Sequence, residues 1–195
     1  MPDEPLVATP RPPLRERKQQ ETRERIVAAA YRLFEQRGYT RVTVDDIADA
    51  AEIGRATFFR YFGDKQEVVF AAEPTIRQDL SAEMSSREQV PATLAACVSL
   101  LREIALPLWR QTEASPHHAL HLRLVHENAE LNDRRLRKLL SFTTEVTELL
   151  VRRGVERGLA RLATQLVAAC YLAAEDAKVD NIDANLTTLL RDLRA

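Results

Sequence analysis

The chain has 195 residues, enough for one large or two small domains, and 45% of them are apolar, so a sizeable core can be buried. Its 28 Lys and Arg against 29 Asp and Glu give a net charge of −1, which argues against a generic polycationic nucleic-acid binder. Five glycines and two distant cysteines, Cys97 and Cys170, argue against a hairpin-rich fold and a disulfide framework, and fit a reducing cytoplasm.

Residues 1–13 hold five of the nine prolines, and a disordered tail is expected over 1–14. Arg15, Arg17, Lys18, Arg23 and Arg25 follow. They make either a basic arm for the minor groove or DNA backbone, or the solvated start of a helix. From Glu21 to Arg37, the residues Ile26, Ala30, Leu33 and Phe34 recur at helical spacing, and Gly38 stands where a C-terminal cap belongs. Thr43 opens a second helix with Asp46 three positions on, a short form of the capping box, and Asp45 and Asp46 suit the positive end of its dipole. Val44, Ile47, Ala48 and Ala51 give that helix one apolar face.

Glu52, Ile53 and Gly54 make a turn, with Ile53 plugging the angle between the helices. Arg55 to Phe62 is too short to stand alone as a helix, so packing through Phe58 and Phe62 must hold it. Arg55, Thr57, Phe59, Arg60 and Tyr61 then point elsewhere. Two short helices around a three-residue turn are the outline of a helix-turn-helix, whose second helix enters the major groove. Arg55 suits a bidentate contact to guanine, while Thr57, Tyr61 and Lys65 suit phosphates; Thr43, Ala56, Phe59 and Arg60 complete the expected DNA-binding set. Between Pro10 and Lys65, twelve Lys and Arg face nine Asp and Glu; from Gln66 onward, sixteen face eighteen. That asymmetry has the right sign for DNA at the N-terminal end.

At these residues the sequence resembles the TetR family of bacterial transcriptional regulators. The resemblance runs over about Gln20 to Phe70 and is carried by Arg25-Ile26…Ala30…Phe34…Gly38-Tyr39, by Thr43-Val44…Ile47-Ala48…Ala51, and by Thr57-Phe58-Phe59-Arg60-Tyr61-Phe62…Lys65. It implies an all-α chain with a helix-turn-helix DNA-binding domain at 15–64 and a helical ligand-binding and dimerisation domain at 65–195. The implied function is a homodimeric, ligand-responsive regulator, by family habit a repressor. Glu52 departs from the family's usual glycine, Phe59 from a tyrosine that often contacts phosphate, and Gly63-Asp64 from Pro-Ser. The Phe-Phe-Arg-Tyr-Phe run is similar to the actinobacterial subgroup linked to acyl-CoA-like ligands or to mycofactocin.

A fourth helix is expected from Asp64-Lys65 through Val68, Val69 and Phe70, with a kink or break at Pro74. In the resembling family this helix joins the domains and transmits ligand state, so residues 65–73 are the expected lever. Further helices are expected at Ala92–Trp109 (Pro91 in the first turn, Pro107 near the end), Ser115–Glu130, Asp133–Arg153 followed by Gly154, Leu159–Lys178 and Ile182–Leu193. None is a bilayer span: the longest apolar stretch, Leu94 to Leu108, contains Arg102 and Glu103. No signal-peptide pattern is read, and the expectation is a cytoplasmic protein with no membrane partner.

The alanine-rich final pair is the candidate dimer face, through Val167, Tyr171, Ala174, Leu186, Leu189 and Leu190; the alternative is that it closes the subunit's own core. A two-fold dimer reads a palindromic double-stranded operator. An unidentified, largely apolar effector could sit among Met84, Leu106, Trp109, Phe142 and Tyr171, with Thr143, Thr144, Asn128 or Gln165 as polar anchors.

His117, His118, His121 and His126 cluster within ten residues, and His117 and His121 share a helical face. A metal-sensing regulator or an enzyme built on that cluster is the alternative; a solvated cluster is the plainer reading. Paired carboxylates, a nucleophile elbow and a phosphate loop are all missing, so no catalysis, cofactor or metal is expected. A helical adaptor that binds protein instead of DNA is the remaining class.

Overall fold

The computed structural model describes residues 13–88, 90–176 and 182–193, which form ten α-helices and one 3-10 turn with no strand among them. They fall into two compact units, the first ending at Ala71 and the second starting at Ala72. The expected boundary at 64/65 therefore moves seven residues on. Val68 and Val69 are the reason: both are buried in the first unit's core, so the segment after Lys65 folds with the helices before it.

The first unit comprises α1 (Leu14–Arg37), the 3-10 turn Tyr39–Arg41, α2 (Val44–Ala50), α3 (Arg55–Tyr61) and α4 (Lys65–Val69). Helix α1 begins at Leu14, a turn and more ahead of its apolar pattern, and its residues 14–20 are exposed. The expected tail over 1–14 is thus corrected at its last two positions; residues 1–12 lie outside the described set. Ile26, Ala30, Leu33 and Phe34 are buried as their spacing requires, and Tyr31 joins them, its Oη donating to the Val69 carbonyl at 3.1 Å. Burial pushes the Tyr31 phenol pKa well up, so it stays a donor. Gly38 ends α1 with φ 77° and ψ 150°, a region that only glycine adopts readily.

The second unit comprises α5 (Glu73–Ser86), α6 (Leu94–Glu113), α7 (His118–Glu127), α8 (Ala129–Arg152), α9 (Arg157–Asp176) and α10 (Ile182–Asp192). Helix α9 lies centrally and packs on α6, α8 and α10; α5 packs on α6 and α8. Met84, Cys97, Val98, Leu150, Ala160, Ala163 and Leu186 are fully enclosed among them. The break expected at Pro74 falls at 70–72, and Pro74 takes a first-turn position of α5, where its missing N–H has no intrahelical partner to lose. The expected lever over 65–73 is therefore not one helix.

Two helix ends differ from expectation for identifiable reasons. Helix α6 runs through Pro107 to Glu113 instead of stopping near Trp109, because its apolar face continues to bind the core on both sides of the proline. Helices α7 and α8 divide at Asn128, not after Glu130. The Asn128 side chain donates to the Leu124 carbonyl at 2.7 Å, and its own carbonyl accepts from Leu131 and Asn132, so one residue closes α7 and opens α8. At the α8–α9 turn, Gly154 has φ 94°, and the bonds Gly154 N–H to Val151 O and Val155 N–H to Leu150 O form a Schellman cap. The Glu156 carboxylate then accepts from the Gly158 and Leu159 amides at 2.8 and 2.7 Å; those bonds lower its pKa.

The expected dimer face needs correction. Ala174, Leu186 and Leu190 are buried inside the subunit, and Val167, Tyr171 and Leu189 pack against the same core. Their apolar character serves the monomer. The leucines that stand out of this unit are Leu136 and Leu140 on α8 and Leu162 on α9, the last two about 60% exposed (60% and 58%).

Candidate nucleic-acid interface

Helix α2 is set by its start. The Thr43 Oγ1 accepts from the Asp46 amide at 3.1 Å and donates to the Asp46 carboxylate, which also accepts the Thr43 amide at 2.8 Å: a complete capping box, built with Asp in place of the longer Glu. These bonds, helped by Arg37 at 3.2 Å, hold the Asp46 pKa below the ordinary carboxylate value.

The end of α2 is equally defined. The Glu52 amide bonds the Asp49 carbonyl and the Ile53 amide bonds the Ala48 carbonyl, both at 3.0 Å, which is the Schellman pattern. Its left-handed residue is Glu52, at φ 54°. A residue with a side chain thus takes the position that favours glycine, and the backbone carries the strain.

Helix α3 follows from Gly54, whose carbonyl accepts from Thr57 and Phe58 at 2.8 and 3.1 Å. Seven residues cannot hold a helix alone. Phe58 is fully buried, Phe62 nearly so, and their rings lie 5.9 Å apart in the core shared with Ile26, Phe34 and Ile47. That anchoring turns Arg55, Ala56, Phe59 and Arg60 outward, all exposed, with Thr57 and Tyr61 half-buried beside them. Phe59 is 44% exposed, a large ring left in solvent on the face that also carries two arginines.

The outward side chains are partly organised already. Arg55 Nη1 lies 2.6 Å from both carboxylate oxygens of Asp45, and its Cζ is 5.5 Å from the Phe59 ring centroid. Arg60 lies 5.5 Å over the Tyr61 ring. Thr43 is exposed at the α2 N-terminus, its hydroxyl proton engaged by Asp46.

Lys65 and Arg23 depart from the roles expected of them. Lys65 was expected on phosphates; instead its Nζ donates to the Tyr39 and Val42 carbonyls, both at 2.9 Å, and sits 4.1 Å over the Tyr39 ring. It closes the loop between α1 and α2 because the 3-10 turn ends with carbonyls that need a donor. Arg23 leaves the basic arm: it is half-buried, donates to the Ala71 carbonyl at 2.7 Å and covers the Phe62 ring at 4.5 Å. Asp45, read only as a helix-dipole residue, is one that the sequence reading did not place at this face. The signal for Asp45 was an acid at the second helical position, ten residues before an arginine at the start of the next helix.

In the second unit the expected effector residues separate. Met84, Leu106 and Thr143 are core, and Thr143 bonds back to the Leu140 carbonyl. Trp109 meets Tyr171 edge-on at 5.0 Å and His118 at 5.9 Å, making an aromatic cluster; Asn128 serves the α7–α8 junction. Phe142 and Thr144 of the set line a half-open cavity of about 340 Å³ between α5 and α8, with Leu80, Val146, Leu149, Arg77 and Arg152. Arg77 is held there by Glu73 at 2.6 Å and by Glu145. Among the described residues no three His, Cys, Asp or Glu side chains are grouped to hold a metal ion, and no helix is long and apolar enough to cross a membrane.

Comparison with known proteins bears first on the first unit. The sequence profile of bacterial regulatory proteins, tetR family, matches residues 26–72, the segment that carries α2 and α3. TcmR of Streptomyces glaucescens, an HTH-type transcriptional regulator, is 34% identical over 93 residues, which are 48% of this chain and 41% of TcmR. MftR of Mycobacterium tuberculosis, named for mycofactocin biosynthesis, is 28% identical over 141 residues, covering 71% of this chain and 68% of MftR. The chain thus spans less than half the length of TcmR, and 22% of HbdR from Aromatoleum sp..

Among solved structures, SmeT, the repressor of the Stenotrophomonas maltophilia efflux pump SmeDEF, superposes with a TM-score of 0.55 at 19% identity, covering 86% of each chain. A TetR-family chain from Syntrophomonas wolfei gives 0.60 at 18%, covering 90% of this chain and 94% of that one. At such identities the likeness is one of fold. Residues 26–72, which carry the capped α2 and the outward face of α3, are thus similar to the DNA-binding segment of the tetR family of bacterial regulatory proteins, and the rest of the chain shares the fold of TetR-family structures.

Proposed function

We propose that this chain is a homodimeric transcriptional regulator, by family habit a repressor, that inserts α3 into the major groove of a palindromic operator and releases it when a small, largely apolar effector binds the second unit. One observation carries the reading: α3 buries Phe58 and Phe62 and offers Arg55, Ala56, Phe59 and Arg60 to solvent on one short helix. A helix held by its aromatics and exposed at its arginines suits a phosphate-lined groove. Arg55 is assigned to a guanine, and Arg60, Thr57, Tyr61 and Thr43 to the backbone around it.

The test is selection of bound duplexes from a random pool by the full-length protein. Enrichment of an inverted repeat supports the reading. Enrichment of no sequence ends it, as would equal affinity of wild type, Arg55→Ala and Arg60→Ala for a selected and a scrambled duplex; that outcome favours the adaptor reading.

With Ala174, Leu186 and Leu190 inside the subunit, the pairing surface is assigned to the outward side of α9, where Leu162, Gln165, Ala169 and Ala173 are exposed at spacings of three and four. Small residues there permit close approach of a second copy's helix. Ala169→Arg should yield monomers by sedimentation; a persisting dimer places the interface elsewhere.

For the effector, the cavity between α5 and α8 has a volume in the small-molecule range and pairs apolar walls with Arg77 and Arg152. An effector must bind the released state more tightly than the DNA-bound one, and the shift it causes is bounded by that difference. The mycofactocin link of MftR and the efflux link of SmeT belong to those proteins; for this chain they select which compounds to screen first by thermal shift.

A further inference from the structure

A carboxylate beside the reading arginine is unexpected on a surface that approaches phosphates, because it repels every duplex alike. Asp45 nevertheless sits on Arg55, with Nη1 2.6 Å from both Oδ1 and Oδ2. Both side chains are about 60% exposed (59% and 61%), so no packing forces the pair together. An exposed pair of this kind adds little to folding stability. Its geometry is more telling than its strength. A guanidinium has two adjacent two-donor edges, one ending in Nη1 and the other formed by Nη2 and Nε. Asp45 takes Nη1 alone, and no described hydrogen bond uses Nη2 or Nε. The edge left over is the fork that matches guanine O6 and N7. The Phe59 ring, 5.5 Å from Cζ, restricts the same side chain from a second direction.

We propose that Asp45 is a positioning residue for base reading: it grips Arg55 through Nη1 so that the Nη2–Nε edge is presented to one guanine, and it disfavours duplexes that offer no guanine there. The inference rests on the reading of α3 as the helix in the major groove. Holding the arginine beforehand removes part of the side-chain ordering that binding otherwise requires. The fixed negative charge weakens all complexes, and only the one with a well-placed guanine regains the loss. Asp45 thereby trades affinity for discrimination.

The experiment uses full-length wild type, Asp45→Ala, Asp45→Asn and Arg55→Ala on the duplex that wild type selects, and on the same duplex with each G·C pair changed in turn to A·T. Wild type should discriminate about ten-fold or more at one G·C pair. Asp45→Ala should bind the changed duplex more tightly than wild type does and the selected duplex no more tightly, collapsing the ratio at that pair only. Asn keeps one oxygen for Nη1, so its ratio should fall between. Arg55→Ala with Asp45→Ala should discriminate no less than Arg55→Ala alone.

A wild-type ratio retained in Asp45→Ala overturns the inference while leaving the base-reading function standing. So does an equal loss on both duplexes with a lowered melting temperature, which would make Asp45 a helix-dipole residue. If wild type selects no sequence, the base-reading function fails and the inference goes with it.

Discussion

Replacing Lys65 separates a fold role from a DNA role. Lys65→Met keeps the length and apolar stem of the side chain and removes its ammonium. The Tyr39 and Val42 carbonyls, each 2.9 Å from Nζ, then lose a charged donor, and the Tyr39 ring loses a cation at 4.1 Å. A hydrogen bond to a charged group contributes about 1.5–3 kcal/mol when sheltered. Lys65 is half-buried, so water recovers part of each; about 1 kcal/mol apiece and about 0.5 kcal/mol for the ring gives a loss on the order of 2–3 kcal/mol. For a unit of this size that is a fall in melting temperature on the order of 10 °C.

Denaturant titration of the full chain can locate the loss, because Trp109, the sole tryptophan, lies in the second unit. Helical circular dichroism should acquire an earlier transition while tryptophan emission keeps its midpoint. The salt dependence of duplex binding should keep its slope under conditions where the variant is folded. The contrary result is a variant as stable as wild type whose slope falls by about 0.9, the signature of one lost phosphate contact. It would return Lys65 to the DNA surface and refute the assignment made from its hydrogen bonds.

Two backbone positions should respond in opposite directions. Glu52→Gly should stabilise the first unit by up to about 1 kcal/mol, since the φ of 54° no longer strains a side chain, whereas Gly38→Ala should destabilise it by about 1–3 kcal/mol; both are read by urea unfolding. Acid should loosen α2. The Asp46 carboxyl has a depressed pKa in the folded chain, from its Thr43 bonds first, so its contribution is complete above the unfolded value near ~4. It is lost as pH falls through the lower folded value, and Thr43→Ala should flatten the melting-temperature profile on the acid side of about pH 4. In the second unit, Thr147 and Thr164 hydroxyls lie 2.8 Å apart while each also faces a backbone carbonyl in its own helix. Thr147→Val alone should cost about 1 kcal/mol, and adding Thr164→Val should cost little more, because both buried partners are then apolar.

The sequence made the first unit legible because three of its helices, α1, α2 and α4, announce an end. Gly38, Thr43 with Asp46, and Asp64 are stop and start signals whose chemistry acts over three or four residues, and the structure puts each one at a cap. Longer-range roles were not legible by spacing. Lys65 and Arg23 are basic residues beside a DNA-binding motif, and periodicity cannot tell that their partners are carbonyls 26 and 48 residues away. The same limit explains Ala174, Leu186 and Leu190. An apolar stripe states that a face is buried; whether a second copy or the same subunit covers it depends on where α6 and α8 lie, and the subunit's own helices cover it.

That limit bears on how the reading surface works. Helix α3 has no side-chain cap and only seven residues, so its orientation is inherited from Phe58 and Phe62. The rings that fix it belong to a core with Ile26, Phe34, Ile47 and Val68, contributed by α1, α2 and α4. Conservative trimming there should therefore act on DNA binding through geometry. Phe58→Leu, with the arginines untouched, should lower stability by about 1–2 kcal/mol. In fully folded protein it should weaken the selected duplex more than a scrambled one, because a tilted α3 misplaces Arg55 while phosphate contacts tolerate the tilt. Equal weakening of both duplexes would mean that Phe58 sets only how much protein is folded, and that α3 keeps its direction without it.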